Sequence, residues 1–469
     1  MLDTRRAINA ILGRLQFTAT RSLVRGSLCL AFSLGVAYLP KWPDMSPGAN
    51  AALFILLFAA SLWVTEAIPA FAVALLIIGL EIALLGKPDG IFAQSDHDWE
   101  MFIEPWASPL IWLFLGGLVL AHGAQKTGLD RWVATRVATA LGTRPGAVLF
   151  ATMGVTFLFS MFMSNTATAA MMVAVIMPVV GALRGDQFRK ALLLGVPFAA
   201  NIGGMGTIIG TPPNAIAVGM LEGRQPIHFA QWMVVGMPPA MVLALVAGVY
   251  LLLRYPSEQR HLDLSAIVGG PPVGSILPLW QRAVVMGVFI LTVSLWLTDS
   301  LHGIPTYVVS FIPICVFAAA MIIGPEDMRA LPWDILILIT GGLSLGVAVS
   351  ETGLADWIVA HVPLGSTHGL WLAVLVGLFA AALSTFMSHT AAANILIPLA
   401  IPLAPDAPAM MAVCAALGSS TAMALPISTP PNAIAYAGGH LQASDFLGGG
   451  LLLGILGPIL IALWCTVVL

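Results

Sequence analysis

Apolar runs of about 20 residues, the length that crosses a bilayer as a helix, recur along nearly the whole chain. Lipid offers backbone N–H and C=O groups no partners, so such runs satisfy their own hydrogen bonds as helices. Charge agrees with this: 59% of residues are hydrophobic and only 9% charged, with a mean hydropathy of +0.96. Soluble domains carry about 25% charged residues. The chain reads as an all-α polytopic membrane protein, and soluble classes are excluded. Its four cysteines (Cys29, Cys315, Cys414 and Cys465) lie in apolar runs without motif spacing and read as small hydrophobic fillers. The Arg-rich opening, residues 1–22, has no small-residue cleavage site. It reads as a cytoplasmic segment before a first span rather than as a signal peptide.

About eleven spans are expected, near 24–40, 50–66, 70–86, 108–124, 190–220, 233–253, 283–298, 305–323, 333–350, 409–437 and 447–468. Two further apolar stretches, 146–183 and 370–403, are interrupted midway by polar motifs: MFMSNTATAA (Met161–Ala170) and TFMSHTAAAN (Thr385–Asn394). As hairpins that enter and leave on one side, they cross nothing. With the N-terminus in the cytoplasm, 16 of the 19 Lys and Arg then fall inside, and only Lys41, Lys87 and Arg224 outside. That bias is the positive-inside rule, and it weakens if either stretch crosses. Two re-entrant hairpins, with the C-terminus outside, fit best.

The polar motifs belong to a longer duplication. SLWVTEAIP (Ser61–Pro69) echoes SLWLTDSLHGIP (Ser294–Pro305), and GGLVLAHGAQKTGLDRW (Gly116–Trp132) echoes GGLSLGVAVSETGLADW (Gly341–Trp357). GTPPNAIAVG (Gly210–Gly219) echoes STPPNAIAYAG (Ser428–Gly438). The order is kept in both copies, which marks an internal repeat. An odd number of crossings separates the copies, so the second is expected upside down. Inverted repeats with broken helices near the midplane are a signature of secondary transporters.

The chemistry of the motifs agrees. Paired prolines break a helix and leave carbonyls one turn earlier without N–H partners, and these are hard oxygen ligands for a small cation. Ser164, Asn165, Thr166, Ser388 and Thr390 add hydroxyl and amide oxygens at the hairpin tips. Helices that start just after the tips aim positive dipole ends inward, toward an anion. No Lys or Arg lies in the centre of an expected span. An anion would therefore be held by neutral donors, helix ends and bound cations, which couples anion to cation. Elsewhere, Glu66 and Asp299 take matching interfacial places with structural roles, and Glu81, two turns from a span end, is expected to reach the headgroups. The histidines fall mostly in loops, apart from His389.

The paired Ser-Asn-Thr-like and Thr-Pro-Pro-Asn motifs, with WVTEAIP, resemble the divalent anion:sodium symporter family of di- and tricarboxylate and sulfate carriers. The likeness runs from about Leu53 to Leu469. It implies eleven spans, two re-entrant hairpins, a homodimer, and an elevator movement of a transport domain against a scaffold. It also implies one sodium site at Ser160, Ser164, Asn165 and the Gly210 carbonyl. A second would use Ser384, Ser388, His389 and the Ser428 carbonyl. The substrate carboxylates would meet Asn165, Thr166, His389 and Thr390, with Thr211, Pro212, Thr429 and Pro430 nearby. No covalent cofactor is implied; sodium is the coupling ion.

At position 389 the family pattern expects Asn, and this chain has His. Imidazole lacks the amide oxygen and is a poorer ligand for hard sodium. It also titrates near neutral pH, at about 6.5 when unperturbed. The second sodium site is then weakened or lost, or His389 carries a proton, or its charged ring meets a substrate carboxylate, or it is a neutral substitute.

The sequence thus points to a non-enzymatic secondary active transporter of a dicarboxylate of the succinate, malate and fumarate class, coupled to sodium. The alternatives on the same fold are a sodium-independent dicarboxylate exchanger and a sulfate or tricarboxylate carrier. An intramembrane enzyme is disfavoured by the lack of a His-Glu-x-x-His pair, and a channel by duplicated occluding hairpins. The scaffold is assigned to 23–125 and 255–350 and the transport domain to 140–253 and 365–469. Expected partners are the small anion, sodium, the bilayer and a second copy, with no nucleic acid. The expected location is the bacterial inner membrane.

Overall fold

The computed structural model describes residues 2–130, 132, 136, 142–183, 185–262, 278–361 and 369–469, with 2–19 by backbone alone. Arg131 and Arg184 of the charge count, residues 263–277 of the second scaffold segment and residues 365–368 of the transport segment lie outside this set. Among the described residues there is no strand.

The described residues are mainly helical. In order, α1 spans Leu2–Tyr38, α2 Pro47–Thr65, α3 Ala70–Glu81, α4 Pro109–Thr127, α5 Pro145–Ser160, α6 Asn165–Ala182, α7 Phe188–Gly204, α8 Pro212–Leu221, α9 Phe229–Arg254 and α10 Leu279–Leu297. There follow α11 Phe311–Ala319, α12 Pro325–Ala330, α13 Trp333–Glu351, α14 Leu354–His361, α15 Gly369–Phe386, α16 His389–Leu403, α17 Pro408–Ser420, α18 Pro430–Ala437 and α19 Ala443–Val468.

Caps written in the sequence set many of these boundaries. Ser46 accepts from Ala49 N at 3.0 Å with Pro47 at the first helical position, and Ser108 with Pro109 opens α4 the same way. A Ser side chain satisfies a free N–H there, while proline has none to lose. Gly128 ends α4 at φ 67, a conformation that glycine takes without strain. Glu66 closes α2 at φ 48, so it acts as a helix stop beside Ala67.

Eight of the described helices are long and apolar enough to cross a bilayer, and α6 and α15 are among them. The expected spans 190–220 and 409–437 do not appear as single helices. Each is split, α7 from α8 and α17 from α18, because the paired prolines begin a new helix instead of continuing the old one. Of these pieces α17, like α5 and α16, is apolar but falls below the length of a span.

The chain forms two compact units. One comprises 1–107 and 337–364, the other 108–336 and 365–469. These boundaries follow packing, whereas the scaffold and transport segments are defined by relative motion, and the two divisions differ at 108–125 and 255–336.

In the first unit, α1, α2 and α3 pack in sequence. Gly341 of α13 lies so close to α3 that a Cβ there would meet Ala74 Cα at 2.7 Å. Small residues allow helices to approach in this way inside membranes. Trp357 donates to Pro43 O at 2.7 Å and meets Trp42 edge-on. Glu81 departs from the expectation: it is fully buried against Ser344 rather than extended toward headgroups. The wide turn Ile82–Gly86 that follows α3 carries the chain past it.

In the second unit each hairpin wraps its own broken helix, α5 and α6 against α7, and α15 and α16 against α17. The copies then interleave. The half-helix α18 packs on α6, and α8 packs on α16.

Candidate functional site

The hairpin tips are helix starts. Ser164 caps α6 by accepting from Ala167 N at 3.2 Å, and Ser388 caps α16 by accepting from Ala391 N at 3.2 Å. Thr211 and Thr429 hold the same place before α8 and α18, each followed by proline. Thr429 accepts from Asn432 N at 3.2 Å, whereas Thr211 makes no such bond. Because α18 lies on α6 and α8 on α16, these four helix starts, which all carry partial positive charge, come from paired elements of opposite copies.

Asn201 links the copies directly: its Nδ2 donates to Thr429 Oγ1 at 3.1 Å. The motif asparagines hold the unwound backbone. Asn214 Nδ2 donates to Gly204 O (2.9 Å) and Thr207 O (2.7 Å), and Asn432 Nδ2 to Met423 O (3.0 Å) and Leu425 O (2.9 Å). The fourth residue of each Thr-Pro-Pro-Asn therefore satisfies carbonyls that the helix break sets free.

In the first copy three of the four expected cation ligands, Ser160, Asn165 and the Gly210 carbonyl, converge. Ser160 is fully buried, with its hydroxyl 2.6 Å from Ala200 O. One terminal atom of the Asn165 amide lies 2.6 Å from Ser160 Oγ and 3.2 Å from both Gly210 O and Ala200 O. As nitrogen it donates to all three; as oxygen it completes a four-oxygen cradle suited to a small hard cation. Gly204 makes room, since a Cβ there would stand 2.6 Å from Asn165 Oδ1. Ser164 faces its own helix cap rather than this cluster.

The second copy is built differently. His389 is buried, and its Nε2 sits 2.9 Å from Ala422 O. A carbonyl only accepts, so this nitrogen carries the hydrogen and donates. Ser384 is fully buried with its hydroxyl unpartnered. Ser428 turns away, donating to Thr385 O at 2.9 Å and accepting from Leu425 N. Ser384, Ser388, His389 and Ser428 thus share one neighbourhood without forming the closed oxygen cluster of the first copy. Of the residues expected at the substrate, Thr166 and Pro430 are exposed, Asn165 and Pro212 half-buried, and Thr211, His389, Thr390 and Thr429 buried.

Sequence reading missed Asn201, Ala200 and Ala422. A lone Asn in the apolar stretch FAANIGG was a signal for the first; backbone carbonyls carry none. Away from the tips, Asp445 accepts from Lys190 (2.9 Å) and from Tyr255 (3.1 Å). Burial, and then the Asp445 charge, push the Tyr255 phenol up to about 12, so it stays a donor. The one Gly-x-Ser-x-Gly spacing, Gly342–Gly346, lies inside α13, without the strand-to-helix elbow that exposes a nucleophile.

Interleaved broken helices with neutral polar groups at their starts define a membrane carrier rather than an enzyme. The citrate transporter family model (CitMHS) matches residues 60–418. The sodium-dependent dicarboxylate transporter SdcS of Staphylococcus saprophyticus is 31% identical over 454 residues, covering 88% of this chain and 84% of that protein. The protein of the same name from Staphylococcus aureus is 30% identical with the same coverage. The chain belongs to the citrate transporter family, and with it to the divalent anion:sodium symporters that its motifs resemble. Among solved structures, Neisseria gonorrhoeae MtrF aligns with a TM-score of 0.54 at 13% identity, covering 92% of this chain and 97% of that one. The YdaH transporter of Alcanivorax borkumensis aligns at 0.52 and 11%, covering 87% and 97%. At these identities the likeness is one of fold.

Proposed function

We propose that this carrier moves a dicarboxylate of the succinate, malate and fumarate class across a bacterial inner membrane, driven by sodium. One observation carries the reading. The Ser160, Ala200 and Gly210 oxygens gather around the Asn165 amide beside the start of α6, while α8 and α18 begin at buried threonines packed on the opposite copy. A cation in the cradle and the helix ends together supply the positive field that a dianion needs where the expected spans carry no central Lys or Arg. Without the cation the anion loses part of its counter-charge, which makes the two bind together. The names of the staphylococcal relatives support both sodium and dicarboxylate.

In this reading the inverted copies form a transport domain, 140–253 and 365–469, that moves by an elevator step against a scaffold, 23–125 and 255–350. The scaffold joins a homodimer, with eleven spans, two re-entrant hairpins, the N-terminus inside and the C-terminus outside. The sodium ligands are Ser160, Ser164, Asn165 and Gly210, with Ser384, Ser388, His389 and Ser428 as their counterparts. Asn165, Thr166, Thr211, Pro212, His389, Thr390, Thr429 and Pro430 surround the anion.

A second reading has its own observation. His389 points a donor at Ala422 O, where the first copy has an amide and an oxygen cradle. A donor repels a cation, which favours fewer coupled sodium ions and, at the limit, sodium-independent exchange of dicarboxylates. Labelled succinate uptake into proteoliposomes separates the two. Uptake that collapses when potassium replaces sodium supports symport; uptake that ignores sodium and needs internal dicarboxylate supports exchange.

A further inference from the structure

In the first unit, well apart in sequence from the hairpin tips and the Thr-Pro-Pro-Asn motifs, Glu81 ends a helix of otherwise apolar residues, AFAVALLIIGLE. It is fully buried. The next turn, Ile82–Gly86, is π-helical, with Lys87 N bonded to Ile82 O at 2.8 Å. Such widened turns recur at functional sites, and an ionisable residue at membrane depth calls for a role and a partner.

The partner is Ser344 of α13. Its hydroxyl is in hydrogen-bond contact with Glu81 Oε2 and lies 2.9 Å from Phe102 O. Ser344 and Phe102 are themselves fully buried. A serine hydroxyl has one hydrogen. The Phe102 carbonyl can only accept, and so can an ionised carboxylate. Two bonds at one hydroxyl, each to an acceptor, lack a hydrogen. Glu81 Oε1 has no partner, and no Lys, Arg or His pairs with this carboxyl among the described residues. An ionised oxygen left bare in dry surroundings is far costlier than the carbonyl oxygen of a neutral acid.

We infer that Glu81 is a proton-binding site within the membrane: it holds a proton on Oε2 and donates it to Ser344, which in turn donates to Phe102 O. The resulting chain, carboxylic acid to hydroxyl to carbonyl, joins α3, α13 and the short helix Glu100–Ile103 without placing a charge in lipid. This site is independent of the transport reading, because none of its residues belongs to the hairpins or broken helices.

Infrared difference spectra of the full chain in lipid at neutral pH, wild type minus Glu81→Gln, test this directly. One carboxylic acid C=O stretch per chain should be lost, with the carboxylate stretches unchanged. Loss of carboxylate stretches instead overturns the proposal. Should Glu81→Gln fail to fold, wild type minus Ser344→Ala retains the acid and shifts its C=O band. A shift of carboxylate bands in that pair overturns the proposal equally.

Discussion

Asn201 Nδ2 donates to Thr429 Oγ1 at 3.1 Å, so a residue of the first copy orients the helix cap of the second. The same hydroxyl accepts from Asn432 N, and that cap begins the half-helix resting on the first hairpin. Asn201→Ala should leave expression near normal and weaken succinate binding by about five- to tenfold, the worth of one hydrogen bond. Binding isotherms for Asn201→Ala, Thr429→Ala and the double variant should give a coupling of about 1 kcal/mol. Additive losses would mean that the two residues act separately.

Asn214 takes two carbonyls of the break between α7 and α8. In Asn214→Ala both acceptors lose their donor, at about 1–3 kcal/mol each if they stay dry. A thermal melt in detergent should fall by several degrees. Asn214→Asp should be worse, since it also places a charge among carbonyls. An unchanged melting temperature for both variants would show that water replaces the amide.

Gly204 stands where any side chain would collide with Asn165. Gly204→Ala should push the amide out of the cradle and raise the sodium concentration for half-maximal uptake at least tenfold, with less effect on succinate at saturating sodium. His389→Asn works in the opposite sense. It replaces a donor at Ala422 O with an amide that can present its oxygen, and should steepen the sodium dependence of uptake. A sodium curve unaltered by either substitution would place the coupling elsewhere.

Beyond the spans, Asp327 of α12 accepts from Lys126 (2.5 Å), His122 (3.0 Å) and Gly324 N (2.8 Å). Burial pushes its carboxyl up, but these donors and the Lys126 charge outweigh it and hold the group far below the usual 3.8. A depressed carboxylate stabilises the fold above the unfolded value and loses that contribution as pH falls toward the folded one. Lys126→Met should therefore cost about 1 kcal/mol at pH 7, as for a partly exposed pair. The gap in melting temperature from wild type should narrow only below about pH 4. A gap that persists at low pH would trace the loss to packing of the lysine stem.

How much of this was legible in the chain depends on how local the cause is. Ser before a free N–H, Pro at the first helical position and paired prolines act within one turn. Hence the starts of α6, α8, α16 and α18 could be read from MSNT, MSHT and the two TPPN motifs. Their repetition in one order marked the duplication, and scarcity of charge marked the membrane. The departure at His389 was visible as a letter, and its consequence was not.

Contacts across long sequence distance were set by the tertiary structure alone. Ala200 and Gly210 carbonyls meet Asn165, and Ala422 meets His389, because helices broken at the prolines turn backbone inward; a carbonyl belongs to every residue and leaves no trace in sequence. Glu81 looked like a headgroup anchor near a span end. The close approach of α3 and α13 at Ala74 and Gly341 buried it instead beside Ser344, 263 residues away. The sequence by itself determined where helices begin, break and repeat, because those preferences act through neighbouring backbone atoms. Which oxygen faces which hydrogen was decided only when the helices packed, because each such pair joins segments that nothing but the fold brings together.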